Sequence, residues 1–136
     1  MASAKEIATR YYEALNTKDA QKVVAFLSPS SRVEVPGAVL EGPGQAAGWL
    51  QAFFNAFPDL AHTPGEISEI GHDASASLVV EGTHTAPLVS HEGTIPPTNR
   101  RIRLEAKNEL QVEGDVISHL KIVFDQADFM RQLGLT

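Results

Sequence analysis

Ile7, Tyr11, Ala14 and Leu15 recur at i, i+4, i+7 and i+8. That spacing places one apolar stripe on a helix and predicts an amphipathic helix over about Ser3 to Asn16. Asp19 can cap a second, shorter helix with Ala20, Val23, Val24 and Leu27 on one side, and Ser28-Pro29-Ser30-Ser31 stops it. Arg32 to Val35 alternates as a strand does. Pro36-Gly37 turns the chain, and Ala38 to Glu41 reads as the returning half of a hairpin. After the break at Glu41-Gly42-Pro43-Gly44, the apolar residues Ala46, Leu50, Phe53, Phe54 and Phe57 return at helical spacing, and Pro58 ends this third helix.

Beyond Pro58 the period changes from helical to alternating. A strand is predicted near Glu66 to Ile70, although Ile67 and Ile70 break strict alternation, and a clearer one over Ser75 to Thr85. Arg101 to Glu113 is the cleanest: Ile102, Leu104, Ala106, Leu110 and Val112 alternate with Arg103, Glu105, Lys107, Glu109 and Gln111. Glu113-Gly114-Asp115 makes a tight turn into a last strand, Val116 to Phe124, and Gln126 to Leu135 reads as a short tail helix. Helices first and strands second is the order of an α+β domain, with helices packed on one face of a mostly antiparallel sheet. The segment from Ala86 to Asn99 is expected to be an irregular loop of the length that often forms a lid or rim.

Composition narrows the function. The 136 residues fit a single domain, 1–136. Eleven Lys and Arg against 17 Asp and Glu leave a net charge of −6, which argues against nucleic acid and against an anionic membrane surface as partners. The absence of cysteine removes thiolate nucleophiles, disulfides and zinc ribbons. No apolar run approaches a membrane span, and Met1 to Ala8 lacks the apolar region of a signal peptide, so a cytoplasmic protein is expected.

Few residues carry a chemical signal. Gly42-Pro43-Gly44 with Gly48 approaches a phosphate-binding loop, but its last glycine is misplaced and no βαβ pattern follows. His62, His72, His84, His91 and His119 are scattered. None pairs at a spacing that makes a metal site, so no metal or cofactor is expected, and structural or surface roles are the default. His84 stands apart because it shares strand parity with Leu78, Val80 and Gly82. It is either a satisfied core histidine or a proton carrier. Asn108 occupies the apolar face of the cleanest strand, where a buried amide must find partners or line a pocket. Trp49, Phe53 and Phe57, with Tyr11 and Tyr12, are aromatic enough to wall an apolar cavity or simply to fill the core. Asp125 shares parity with His119, Lys121 and Val123 and by pattern alone is a surface acid or the cap of the tail helix.

Several stretches together resemble the SnoaL-like polyketide cyclase and ester cyclase branch of the nuclear transport factor 2-like superfamily. They are Gly42 to Leu60 ending Ala-Phe-Pro-Asp-Leu, Glu81-Gly82-Thr83-His84-Thr85, Ile95-Pro96-Pro97-Thr98-Asn99-Arg100, and Phe124-Asp125 followed by Met130-Arg131-Gln132-Leu133-Gly134. The resemblance implies a cone-shaped, curved, mostly antiparallel sheet with two to three N-terminal helices on its concave face. It implies that Asp125 faces the cavity and handles protons. Relatives that hydrolyse epoxides carry Arg and Asp where this chain has Gly82 and His84, and ketosteroid isomerases place a base Asp where this chain has Val35. The expected activity is therefore cofactor-independent acid/base chemistry on a small apolar carbonyl compound: cyclase-like aldol closure or isomerisation. Asp125 would be the base, and His84, Asn108 and Tyr12 the candidate donors to an enolate. Trp49, Phe53 and Lys121 would complete the pocket, Lys121 holding Asp125 ionised if the two share a face. The alternatives are a non-catalytic ligand-binding or dimerisation module, or an epoxide-hydrolase-like enzyme with an altered site. If His119, Lys121 and Asp125 look into the cone, then Leu120, Ile122 and Phe124 look outward, and a homodimer through that face is expected.

Overall fold

The structure, a computed structural model, describes residues 2–90 and 93–135. Helix α1 (Ala4–Leu15) starts at Ser3, whose side chain accepts the Glu6 N–H, and buries Ile7, Tyr11, Tyr12 and Leu15. Helix α2 (Ala20–Val24) is capped by Asp19, which accepts from the Gln21 and Lys22 N–H groups. Then follow β1 (Leu27–Val35), β2 (Ala38–Glu41), α3 (Gly42–Ala56), β3 (Ala61–Ile70) and β4 (Asp73–Thr83). After them come β5 (Leu88–Ser90), β6 (Gly93–Ile95), β7 (Arg101–Glu113), β8 (Val116–Val123) and α4 (Gln126–Gln132). Six strands make a curved sheet in the order β2-β1-β8-β7-β4-β3. Every neighbouring pair is antiparallel except β1 with β8, which runs parallel. The α+β reading stands. Among the described residues, no helix is long and apolar enough to cross a membrane.

Three segments differ from the sequence expectation, each for a local reason. Strand β1 begins at Leu27, before the alternating stretch, because Ser28 to Ser31 is an irregularity within the strand. The register with β8 jumps there from Leu27↔Ile117 to Arg32↔His119. Strand β3 is longer than expected and shifts register between Pro64 and Ile67, which is why its isoleucines do not alternate. The segment expected to be a loop carries the hairpin β5–β6, with Leu88 paired to Ile95 and buried. His91 lies outside the described residues.

The core sits between the helices and the inner face of the sheet. Strand β7 alternates without a break: Ile102, Leu104, Ala106, Asn108, Leu110 and Val112 are buried, and the residues between them are exposed. Strand β8 does not. Gln111 pairs with His119 but Val112 pairs with Ile117, so Ser118 is extra. Ile117 and Leu120 are therefore both buried although three residues apart. From Leu120 onward the even-numbered residues face the helices. This corrects the expected orientation: Leu120, Ile122 and Phe124 belong to the inner side, and the outer face carries Arg103, Glu105, Lys107, Glu109 and Lys121 instead. The outward apolar row that argued for a homodimer is not there.

Gly82 is closely packed. A Cβ on Gly82 would come within 3.2 Å of Leu60 Cδ1 and 3.3 Å of Phe57 Cβ. The missing side chain lets the turn after α3 lie directly on β4. Asp59 of that turn accepts the Thr83 N–H at 2.7 Å and the Thr83 hydroxyl at 2.9 Å. Leu60 and the start of β3 are thereby held against the sheet.

Candidate functional site

An inner cavity of about 70 Å³ lies between α1, α3 and the strands β3, β4, β7 and β8. Its wall is mostly aliphatic and aromatic. Helix α3 contributes Trp49 and Phe53, one turn apart, with ring centroids 4.8 Å from each other. Phe53 also packs on Phe129 of α4 at 6.1 Å, and Phe129 meets Phe124 edge to face. The wall has four polar side chains, Tyr11, Trp49, His62 and Asn108, and none that carries a fixed charge.

Asn108 reaches the wall because β7 alternates through it; it is 3% exposed. Its Nδ2 donates to the Tyr12 hydroxyl at 3.2 Å, and its Oδ1 has no partner among the described residues. A buried carbonyl oxygen left unpaired costs about 1–3 kcal/mol, so this atom is an acceptor waiting for a donor. Burial pushes the Tyr12 phenol up to about 12, opposed in part by the Asn108 hydrogen bond. Burial, with Tyr12 beside it, raises Tyr11 further. Both hydroxyls are neutral donors at physiological pH.

His62 comes from β3. Its backbone is clasped by Asn16 at the end of α1: the His62 N–H donates to Asn16 Oδ1 and Asn16 Nδ2 donates to the His62 carbonyl, each at 2.8 Å. The ring then faces the cavity, its Nδ1 buried and unpartnered. Burial lowers its pKa to about 4. At neutral pH the imidazole is uncharged and able to accept a proton. Sequence reasoning placed His62 with the structural and surface histidines. The overlooked signal was parity with Leu60, which is buried two residues earlier; the irregularity at Pro64 hid the pattern.

The other expected site residues divide. Trp49, Phe53 and Asn108 line the cavity, and Tyr12 touches it through Asn108. His84 is fully buried, as its parity indicated, but it is not on the cavity wall. Its ring stacks on Phe57 with centroids 5.1 Å apart. Its Nδ1 accepts the Thr98 N–H at 3.3 Å, which leaves the ring proton on Nε2. Nε2 makes no hydrogen bond of ordinary geometry. Burial lowers the His84 pKa, and the nearby Ala86 carbonyl opposes the shift only in part.

Asp125 does not face the cavity. It is exposed, and its carboxylate caps α4 by accepting the Asp128 N–H at 3.0 Å. Lys121 is exposed on the outer side of β8. The physical reason is the extra residue at Ser118. Counting by twos from buried Ile117 puts Lys121 and Asp125 inside, and the bulge turns both out. Asp125 and His84 are thus not gathered around one space. Among the described residues no three His, Asp or Glu side chains converge as metal ligands would.

The arrangement is a small, mostly apolar chamber with an uncharged imidazole, neutral hydroxyls and an amide oxygen that has no protein partner among the described residues. Solved structures of similar fold accompany it. A candidate SnoaL-like polyketide cyclase from Jannaschia sp. CCS1 superposes with a TM-score of 0.85 at 14% identity, over 98% of this chain and 92% of that one. TsrD from Streptomyces laurentii gives 0.83 at 20% identity, over 100% and 99%. A protein of ketosteroid isomerase-like fold from Catenulispora acidiphila, solved with trimethylamine, gives 0.80 at 15% identity, over 96% and 94%. Comparison with curated proteins gave no match. These identities speak for the fold alone. The family description SnoaL-like polyketide cyclase matches residues 5–133, nearly the whole chain with the cavity, and the chain belongs to that family.

Proposed function

We propose that this chain carries out cofactor-independent acid/base chemistry on a small apolar carbonyl compound held in the inner cavity, as a cyclase or isomerase. The observation that carries this reading is His62, an unprotonated imidazole with an unpartnered Nδ1 on the wall of a chamber that has no other base. Its nitrogen takes a proton from the carbon next to the carbonyl, and the C–H electron pair moves into an enolate. The Tyr11 hydroxyl donates to the enolate oxygen, and Asn108 Oδ1 accepts a donor from the substrate. In a cyclisation the enolate carbon attacks a second carbonyl of the same molecule. The imidazolium then returns the proton to the new alkoxide, so no other reactant is consumed.

A base of pKa about 4 is weak for this task in the empty chamber. The enolate changes that. It is the only negative charge facing the wall, and an opposite charge in a dry site raises the basicity of the imidazole as it forms. The neutral wall also suits retention of a neutral molecule without turnover, and the same experiment separates the two readings. Deuterium exchange at the α-carbons of 2-butanone, small enough for the inner cavity, is followed by NMR. The wild type is expected to accelerate exchange, and His62→Phe to slow it by roughly 10² while Asp125→Asn leaves it unchanged. Wild-type exchange in His62→Phe removes His62 from the chemistry, and binding without exchange establishes a ligand carrier.

A further inference from the structure

The inner cavity has an outer neighbour. The parallel pairing of β1 with β8 ends at Glu34↔Lys121. Strand β8 continues to Val123, whereas β1 turns away at Pro36 and Gly37, the latter with φ +83°, into β2. The two strands part there and leave a notch of about 520 Å³, bounded by the β1–β2 hairpin on one side and by Lys121 to Phe124 on the other. Ile122 and Phe124 line both this notch and the inner cavity. They are the partition between the two spaces.

The size of the inner cavity makes the partition matter. About 70 Å³ is half of the roughly 150 Å³ that holds a benzene ring, and far below the roughly 300–1,000 Å³ of ordinary ligand pockets. A molecule that closes a ring on itself needs two carbonyl groups and the chain between them, which the inner cavity alone does not hold. Another staggered rotamer of the Phe124 side chain is the change that would join cavity and notch into one space within the range of ligand pockets. The apolar residues Val35, Ala38 and Val39 then extend the wall outward, and Glu34 and Lys121 mark where it meets water. We infer that the cavity and the notch form one ligand site divided by Phe124. Its ligand is an elongated carbonyl compound, with its reactive end beside His62 and Asn108 and its apolar tail passing Phe124 into the notch. This rests on the inner cavity being the ligand site.

Trp49 is the only tryptophan and lines the inner cavity, so its fluorescence reports occupancy of that end. The chain is titrated with methyl ketones from 2-butanone to 2-undecanone. For the wild type, affinity is expected to rise roughly two- to fourfold per added methylene beyond the length that fills the inner cavity. Val39→Phe adds bulk at an exposed position of the notch, 43% exposed in the native chain, and so leaves the fold intact. It should abolish the gain for the long ketones and leave 2-butanone unchanged. Phe124→Ala, or Phe124→Leu if the smaller residue unfolds the protein, should tighten the long ketones and weaken the short ones. If short ketones quench Trp49 but neither variant alters the dependence on length, the inference is overturned and the cavity reading stands. If no ketone of any length quenches Trp49 in the wild type, the cavity reading fails and the inference with it.

Discussion

Strands β7 and β8 lie side by side and teach opposite lessons. In β7 every inward residue is apolar or Asn108 and every outward one is charged or glutamine, so composition and alternation point the same way from Arg101 to Glu113. In β8 and the two residues after it, His119, Lys121 and Asp125 share one parity with Val123, and Leu120, Ile122 and Phe124 share the other. The face each takes is decided by one extra residue, Ser118, where the pairing slips from Gln111↔His119 to Val112↔Ile117. A shift of one residue exchanges the two faces of a strand. The consequence is chemical: it keeps the Asp125 carboxylate out of a chamber whose wall carries the His62 imidazole.

The sharpest way to break this comparison is to put a charge on each face of β8. Leu120→Glu places a carboxylate where the side chain is 1% exposed, with no cation among its core neighbours. An unpaired buried charge costs several kcal/mol, enough to unfold a marginally stable domain. Lys121→Ala, one residue along on the exposed face, should move stability by no more than about 0.5 kcal/mol. Urea unfolding followed by circular dichroism compares the two. A folded Leu120→Glu protein of near-native stability would mean that the bulge is absent and the faces are reversed.

A smaller effect sharpens the contrast between the chamber and the solvent side. His62 titrates at 6.5 unfolded but at about 4 in the folded chain. Between those values the unfolded state binds the extra proton, so stability is fully present above about pH 6.5 and falls as pH drops toward 4. The size is about 3 kcal/mol. His84, lowered by the same burial, acts in the same direction. Asp59 titrates below this window, since the Thr83 N–H holds its carboxyl under its ordinary 3.8. Denaturation midpoints at pH 7, 5.5 and 4.5 should fall in the wild type and fall less in His62→Phe. An unchanged slope in that variant would mean that the imidazole is not buried in the chamber.

The architecture was readable wherever one face of an element is apolar and the other polar. That holds for α1 and β7, and the cap at Asp19 was readable from its residue type. It failed where the backbone departs from regularity, because irregular residues cancel the period that a reading depends on. Ser28 to Ser31, Pro64 to Ile67 and Ser118 are the three such places in the sheet. Half of the site was legible for the same reason: Asn108 is conspicuous as the polar residue on an otherwise apolar face, and Trp49 and Phe53 follow from helical spacing. His62 was not, since a strand interrupted two residues later offers no alternation to place it. His84 illustrates a further limit. Parity identified it as buried, but burial behind an aromatic ring and burial on a cavity wall look alike in one dimension.

The smallest expected effect separates a cap from a catalyst. Asp125 ends β8's exposed side and accepts the Asp128 N–H at the start of α4. In Asp125→Ala that donor loses its partner, and the loss is about 1 kcal/mol. Helix α4 has seven residues and is held mainly by Phe129, 4% exposed, and by Leu133 just beyond it, so the change should be felt as fraying of the tail before it is felt globally. Asp125→Asn keeps an oxygen that caps almost as well and should restore the stability. Ketone binding and α-proton exchange should be the same in both variants as in the wild type. A catalytic carboxylate would give the reverse pattern: Asn and Ala equally inactive, with melting temperatures unchanged. The decisive measurement is therefore the Asn variant, in which cap chemistry is preserved and proton acceptance is lost.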